Sequence, residues 1–180
     1  MTFNEYALAN ESAIRLTVFF GIFAVMAFWE EATPRRARLH TRMRRWTANL
    51  CLVVLNTVLL RLLFPLAAVG FAAFAAERGW GLLNNLTLPE PLALLLAVVA
   101  MDFAIWLQHV MFHAVPALWR LHQVHHADPD YDLTTGARFH PVEIVLSMLI
   151  KISVIAVTGA PAAAVLVFEV LLNATAMFNH

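Results

Sequence analysis

Five apolar stretches, set off by short polar segments, organise this chain. The first, residues 12–29, is about long enough to cross the ~30 Å hydrocarbon core of a bilayer, with Arg15 close enough to one end to snorkel towards the interface. The second, 46–76, is longer than one crossing needs and carries Arg61 and Pro65. It reads either as one tilted, kinked helix or as a helix followed by an interfacial piece. The third runs over 91–111, and the last two, 142–158 and 161–178, flank a "TGAP" break that predicts a tight hairpin turn. "WEEATPRR" follows the first stretch where a cleaved signal would have small residues, so that stretch is expected to stay. The pattern predicts an all-α, polytopic membrane bundle forming a single domain over 1–180, with N-terminal spans within 12–76 and a core over 91–180.

Composition agrees, since 61% of residues are hydrophobic and 13% charged, too apolar for an ordinary soluble domain. Twelve basic residues balance twelve acidic ones, which leaves no basic field to attract nucleic acid. The single cysteine, Cys51, excludes an internal disulfide and a cysteine-held iron–sulfur cluster. Arg35, Arg36, Arg38, Arg42, Arg44 and Arg45 crowd the loop after the first stretch, whereas Arg78 faces two acids in the loop 77–90. The positive-inside bias makes the arginine loop cytoplasmic and reads its arginines as topology and anionic-lipid contact. If 46–76 crosses once, the third stretch ends in the cytoplasm. Trp29, Trp46, Trp80, Trp106 and Trp119 fall near segment ends, as interfacial belts do.

That cytoplasmic end is rich in histidine. "HVMFH" puts His109 and His113 four residues apart, on one helical face, and "HQVHH" gives His122, His125 and His126 the spacings i, i+3 and i+4. Imidazole is a good ligand for iron, copper and zinc, and unpaired polar groups at a membrane are costly. One such histidine is better read as hydrogen-bonded to headgroups and water; five within eighteen residues favour a metal. A haem protein would leave the clustered spacing unexplained, and a zinc hydrolase would carry a glutamate inside its box, which "HVMFH" lacks. No flavin, haem or nicotinamide motif is visible.

"DFAIWLQHVMFHAVPALWRLHQVHHADPDYDLTTGARFHPVEIVLS" resembles the core of the sterol desaturase and fatty acid hydroxylase superfamily, membrane enzymes with an HxxxH box, an HxxHH box and a later HxxHH box. The resemblance implies a di-iron centre, with His109 and His113 as the first box and His122, His125 and His126 as the second. "FNH" at the end is similar to an Asn-His element before the last box, which makes His180 a sixth ligand and Asn179 a supporting residue. The implied activity is oxygen-dependent hydroxylation or desaturation of a lipid-like substrate, sterol, fatty acyl or carotenoid, fed by an external donor such as a ferredoxin, cytochrome or reductase. Zinc competes well for nitrogen ligands, so zinc found on purification would be compatible with iron in the cell. The third box lies outside the sequence, so the resemblance also implies a C-terminally truncated core that holds one metal tightly but is poor at oxygen chemistry. The alternative is an inactive or partial member acting as a metal-binding or structural membrane protein.

Several residues have two readings. Asp102, seven residues before His109, is either a carboxylate partner for a ligating histidine or a partly hydrated, bundle-facing acid. His140, in "RFHPVE", reads as a cap or interface group ahead of a ligand-supporting one. Glu143, Lys151 and Glu169 are ionisable groups in or beside spans, functional or paired, with Lys151 and Glu169 placed to pair across the hairpin. Asp128, Asp130 and Asp132 read as a solvated loop, with donor docking as the alternative.

Overall fold

A computed structural model describes residues 2–34 and 39–178, which form eight α-helices and two single 3-10 turns, with no strand among them. Helix α1 (Phe3–Ala9) begins in a capping box between Thr2 and Glu5. Helix α2 (Glu11–Ala32) has no buried residue although it is strongly apolar, so lipid must solvate it. Among the described residues, four helical stretches are long and apolar enough to cross a membrane: Glu11–Ala32, Arg42–Glu77, Glu90–Ala114 and Pro141–Thr158. Outward-facing Phe20, Phe28, Leu95, Phe103, Trp106 and Val157 give these helices an apolar exterior. The protein is an integral membrane helical bundle.

Pro65 divides the second apolar stretch into α3 (Arg42–Leu63) and α4 (Ala67–Glu77), because it has no N–H to continue the ladder and Ala67 turns to φ +51°. The small residues Ala68, Val69, Ala72 and Ala75 are buried in the core cluster, letting α4 pack closely on the last two helices. The start of α3 lies beside the loop at 128–135 (Asn49 to Thr134, 2.9 Å), and the segment after α4 meets the opposite end (Leu82 N–H to Val157 O, 3.0 Å). The stretch therefore crosses the bundle once, broken near its middle.

Helix α5 (Glu90–Ala114) runs back towards the histidine end. A short α6 (Pro116–His126) follows, and α7 (Pro141–Thr158) and α8 (Ala162–Phe178) make the hairpin. Gly159 ends α7 in the left-handed conformation at φ +70°, and a Cβ there would sit 2.8 Å from Trp80 O, so glycine answers both demands. Asn4 Oδ1 caps α8 by accepting from Ala163 N–H at 2.9 Å. Inside the bundle, Lys151 Nζ meets Glu169 Oε1 at 2.6 Å across the hairpin, and Arg15 also pairs with Glu169. Arg15 thus turns to α8, where snorkelling was expected, because a half-buried guanidinium gains more from a carboxylate than from a distant interface.

Candidate metal centre

Two prolines fold the histidine boxes together. Pro116 cannot donate to α5 and holds Val115 extended (φ −97°, ψ 118°), so the chain leaves α5 one residue after His113 and restarts as α6 alongside it. Side-chain ligand atoms of His109, His113 and His122 then all lie within 4.8 Å of one another. Ring centroids are 4.7 Å apart for His109–His113, 4.8 Å for His113–His122, 5.0 Å for His113–His126 and 4.9 Å for His122–His126. His122 and His125 are buried, while His109 and His113 are exposed at the mouth. Trp119 packs on the same group, 5.3 Å from His113 and 5.6 Å from His126, so it covers the cluster as well as ending a segment.

The second proline sets the support. In "RFHPVE", His140 caps α7 by accepting from Val142 N–H at 3.1 Å, Pro141 takes the first helical position, and Glu143 stands in the first turn. Buried Glu143 presents Oε1 2.7 Å from His122 Nδ1, and its Oε2 has no hydrogen-bond partner among the described residues. His125 Nδ1 lies 3.2 Å from Arg138 O, with its ring stacked on Phe139 at 4.5 Å and 5°. His126 Nδ1 lies 3.0 Å from the Tyr131 hydroxyl. Each residue of the second box is therefore held through Nδ1, which leaves Nε2 as the ligand atom.

The donor set fits a transition-metal ion. His122 Nε2 and His126 Nε2 face each other at 3.2 Å, the separation of two ligands ~2.0–2.1 Å from one ion at roughly 100°. With both Nδ1 atoms protonated, a cation between the two Nε2 atoms would relieve the repulsion of their lone pairs; with His126 protonated on Nε2, the same contact is a hydrogen bond.

Asp128 and Asp132, expected in a solvated loop, are buried. Arg45 binds Asp128 with both prongs (Nε–Oδ1 2.9 Å, Nη2–Oδ2 2.8 Å) and reaches Asp132 at 2.9 Å, while Asn49 and Thr135 also donate to Asp128 Oδ2. Burial pushes the Asp128 carboxyl up, but the bonds from Arg45, Thr135, Asn49 and the Asp130 amide outweigh it and hold the group well below the usual carboxylate range. Arg45, expected at the lipid surface with its neighbours, is an internal residue. Trp46 also turns inward, donating to Asp132 Oδ2 at 3.0 Å.

Asp102 is exposed two turns before His109 and makes no hydrogen bond to a histidine among the described residues. Asn179, His180 and Arg35, Arg36 and Arg38 lie outside the described residues.

Residues 94–180 match the family model described as fatty acid hydroxylase. Over that stretch the chain is similar to the fatty acid hydroxylase family. Both boxes, Trp119, Glu143 and the aspartate loop fall within it, and α1 to α4, including Arg45 and Asn49, precede it. No curated protein and no solved structure matches the chain. The family carries membrane hydroxylase- or desaturase-type oxidoreductase activity and is typically iron-dependent.

Proposed function

We propose that this chain is a membrane-bound non-haem di-iron oxygenase that hydroxylates or desaturates a lipid-like substrate. The observation that carries the reading is the gathering of His109, His113, His122 and His126 at one end of an apolar bundle, with His122 backed by the buried carboxylate of Glu143. His109, His113, His122, His125 and His126 hold the metal, joined by His180. Iron there supplies the activation of dioxygen needed to attack an unactivated C–H bond. Glu143, Tyr131 and the Arg138 carbonyl orient the imidazoles, and Trp119 shields the cluster from water.

The membrane supplies the substrate, because the site sits where apolar helices end, and a sterol, fatty acyl or carotenoid compound suits that approach. Electrons come from a separate donor such as a ferredoxin, cytochrome or reductase, since the chain has no motif for a redox cofactor of its own. Leu39 and His40, just before α3, share one end of the bundle with the histidines, as the bonds from their amides to Asp130 require. The arginine bias makes that end cytoplasmic.

Membranes holding the iron-loaded chain, a reductase system and isotopically labelled dioxygen test the proposal. The expected product is a lipid that has gained labelled oxygen or lost two hydrogens, absent when His113 and His122 are both changed to alanine. Reduced, iron-loaded chain that yields neither product overturns the reading.

A further inference from the structure

Tyr131 stands out in the loop after the second box. It adopts φ +38°, in the left-handed region that a bulky side chain rarely enters. Its two neighbours show what holds it there. Asp130 accepts from the amides of Leu39 and His40 at 2.7 and 2.9 Å, while Asp132 accepts from Trp46 Nε1 at 3.0 Å and forms an ion pair with Arg45 Nη1 at 2.9 Å. Leu133 N–H donates to Glu30 Oε1 at 2.7 Å, so the next residue is fixed to α2 as well. One side of the tyrosine is tied to the segment between α2 and α3 and the other to α3 itself, and the strained turn between the ties aims the phenol at His126 Nδ1, 3.0 Å away.

From these contacts we infer that Tyr131 is a positioning residue for His126, and that the aspartates beside it exist to hold it in that role. The inference rests on the metal-site reading above. Nε2 of His126 can bind a cation only when its proton resides on Nδ1, so the phenol oxygen must accept from Nδ1–H in the loaded protein. Without metal the same contact runs the other way. Glu143 accepts from His122 Nδ1–H, His122 Nε2 accepts from His126 Nε2–H at 3.2 Å, and the phenol donates to His126 Nδ1. A hydroxyl that both donates and accepts serves both states, which an amide nitrogen or a carbonyl in that place would not. Tyr131 and Glu143 thus bracket a chain of hydrogen bonds through the two imidazoles that face one another.

The test is Tyr131→Phe in the purified full chain, titrated with cobalt(II) alone. The ring and the aspartate ties remain, and only the hydroxyl goes. The expected result is a dissociation constant raised by ~10–100-fold, the usual effect of losing a group that orients a ligating histidine, together with a shifted visible cobalt band. Gln123→Ala, on the exposed side of α6, should keep the affinity of the unaltered chain. Cobalt affinity in Tyr131→Phe within twofold of the unaltered chain overturns the inference, and so does an equal loss in Gln123→Ala. An unaltered chain that takes up no cobalt overturns the metal-site reading along with it.

Discussion

Arg45 and Asp128, 83 residues apart in the chain, meet as a two-pronged ion pair with both side chains buried. The pair joins α3, which precedes the family-matched region, to the turn two residues beyond His126. Removing one partner leaves the other charge buried and uncompensated. Arg45→Met should therefore lower unfolding stability by about 3–5 kcal/mol, seen as a lower thermal midpoint in detergent. An unchanged midpoint would mean that the loop is held without Arg45.

The same pair sets an acid limit. A carboxylate whose folded pKa lies below its unfolded value adds stability that is complete above ~3.9 and lost as pH falls towards the folded value. Asp128 is such a group, and Asp130 shifts in the same direction, chiefly through the Leu39 amide, against burial and with the His40 amide. The thermal midpoint should gain nothing from Asp128 between pH 7 and about 5, then fall below pH ~4. Asp128→Asn should start lower and fall less over that acid range. Parallel curves for the two proteins would contradict the assignment.

Glu143→Ala removes the acceptor that fixes His122. Metal affinity should drop by ~10–100-fold, with Glu143→Gln between the two because an amide oxygen still accepts from Nδ1–H. Equal affinity in all three proteins would mean that His122 needs no carboxylate.

Gly136 marks where α8 reaches the histidine end. A Cβ there would lie 2.3 Å from Ala176 O and 2.8 Å from its carbonyl carbon, both backbone atoms that cannot step aside. Gly136→Ala should destabilise by at least the ~1–3 kcal/mol of an overpacked core, and a thermal midpoint equal to the parent's would show that α8 can shift freely.

Much of this was legible because membrane spans and helical spacing are local signals. The apolar runs, the break at Pro65, the turn at Gly159 and both histidine boxes follow from neighbouring residues alone. The aspartate loop was not legible, since Asp128, Asp130 and Asp132 look hydrated until Arg45, Asn49 and the 39–40 amides arrive from some 80–90 positions away. Arg45 was hidden in a run of six arginines that the sequence alone does not tell apart. Glu143 had one available clue: a glutamate three positions after a cap usually returns to the cap's amide, and here it turns to His122. Tyr131 had none, because only the backbone shows its φ.

The metal content of the purified chain, compared with that of the His113→Ala, His122→Ala double variant, tests the central claim most directly. The account predicts a first-row transition metal, iron or competing zinc, in the parent and a severalfold loss in the variant while helix content stays the same. Equal metal in both, or none in the parent after iron is supplied, would contradict it.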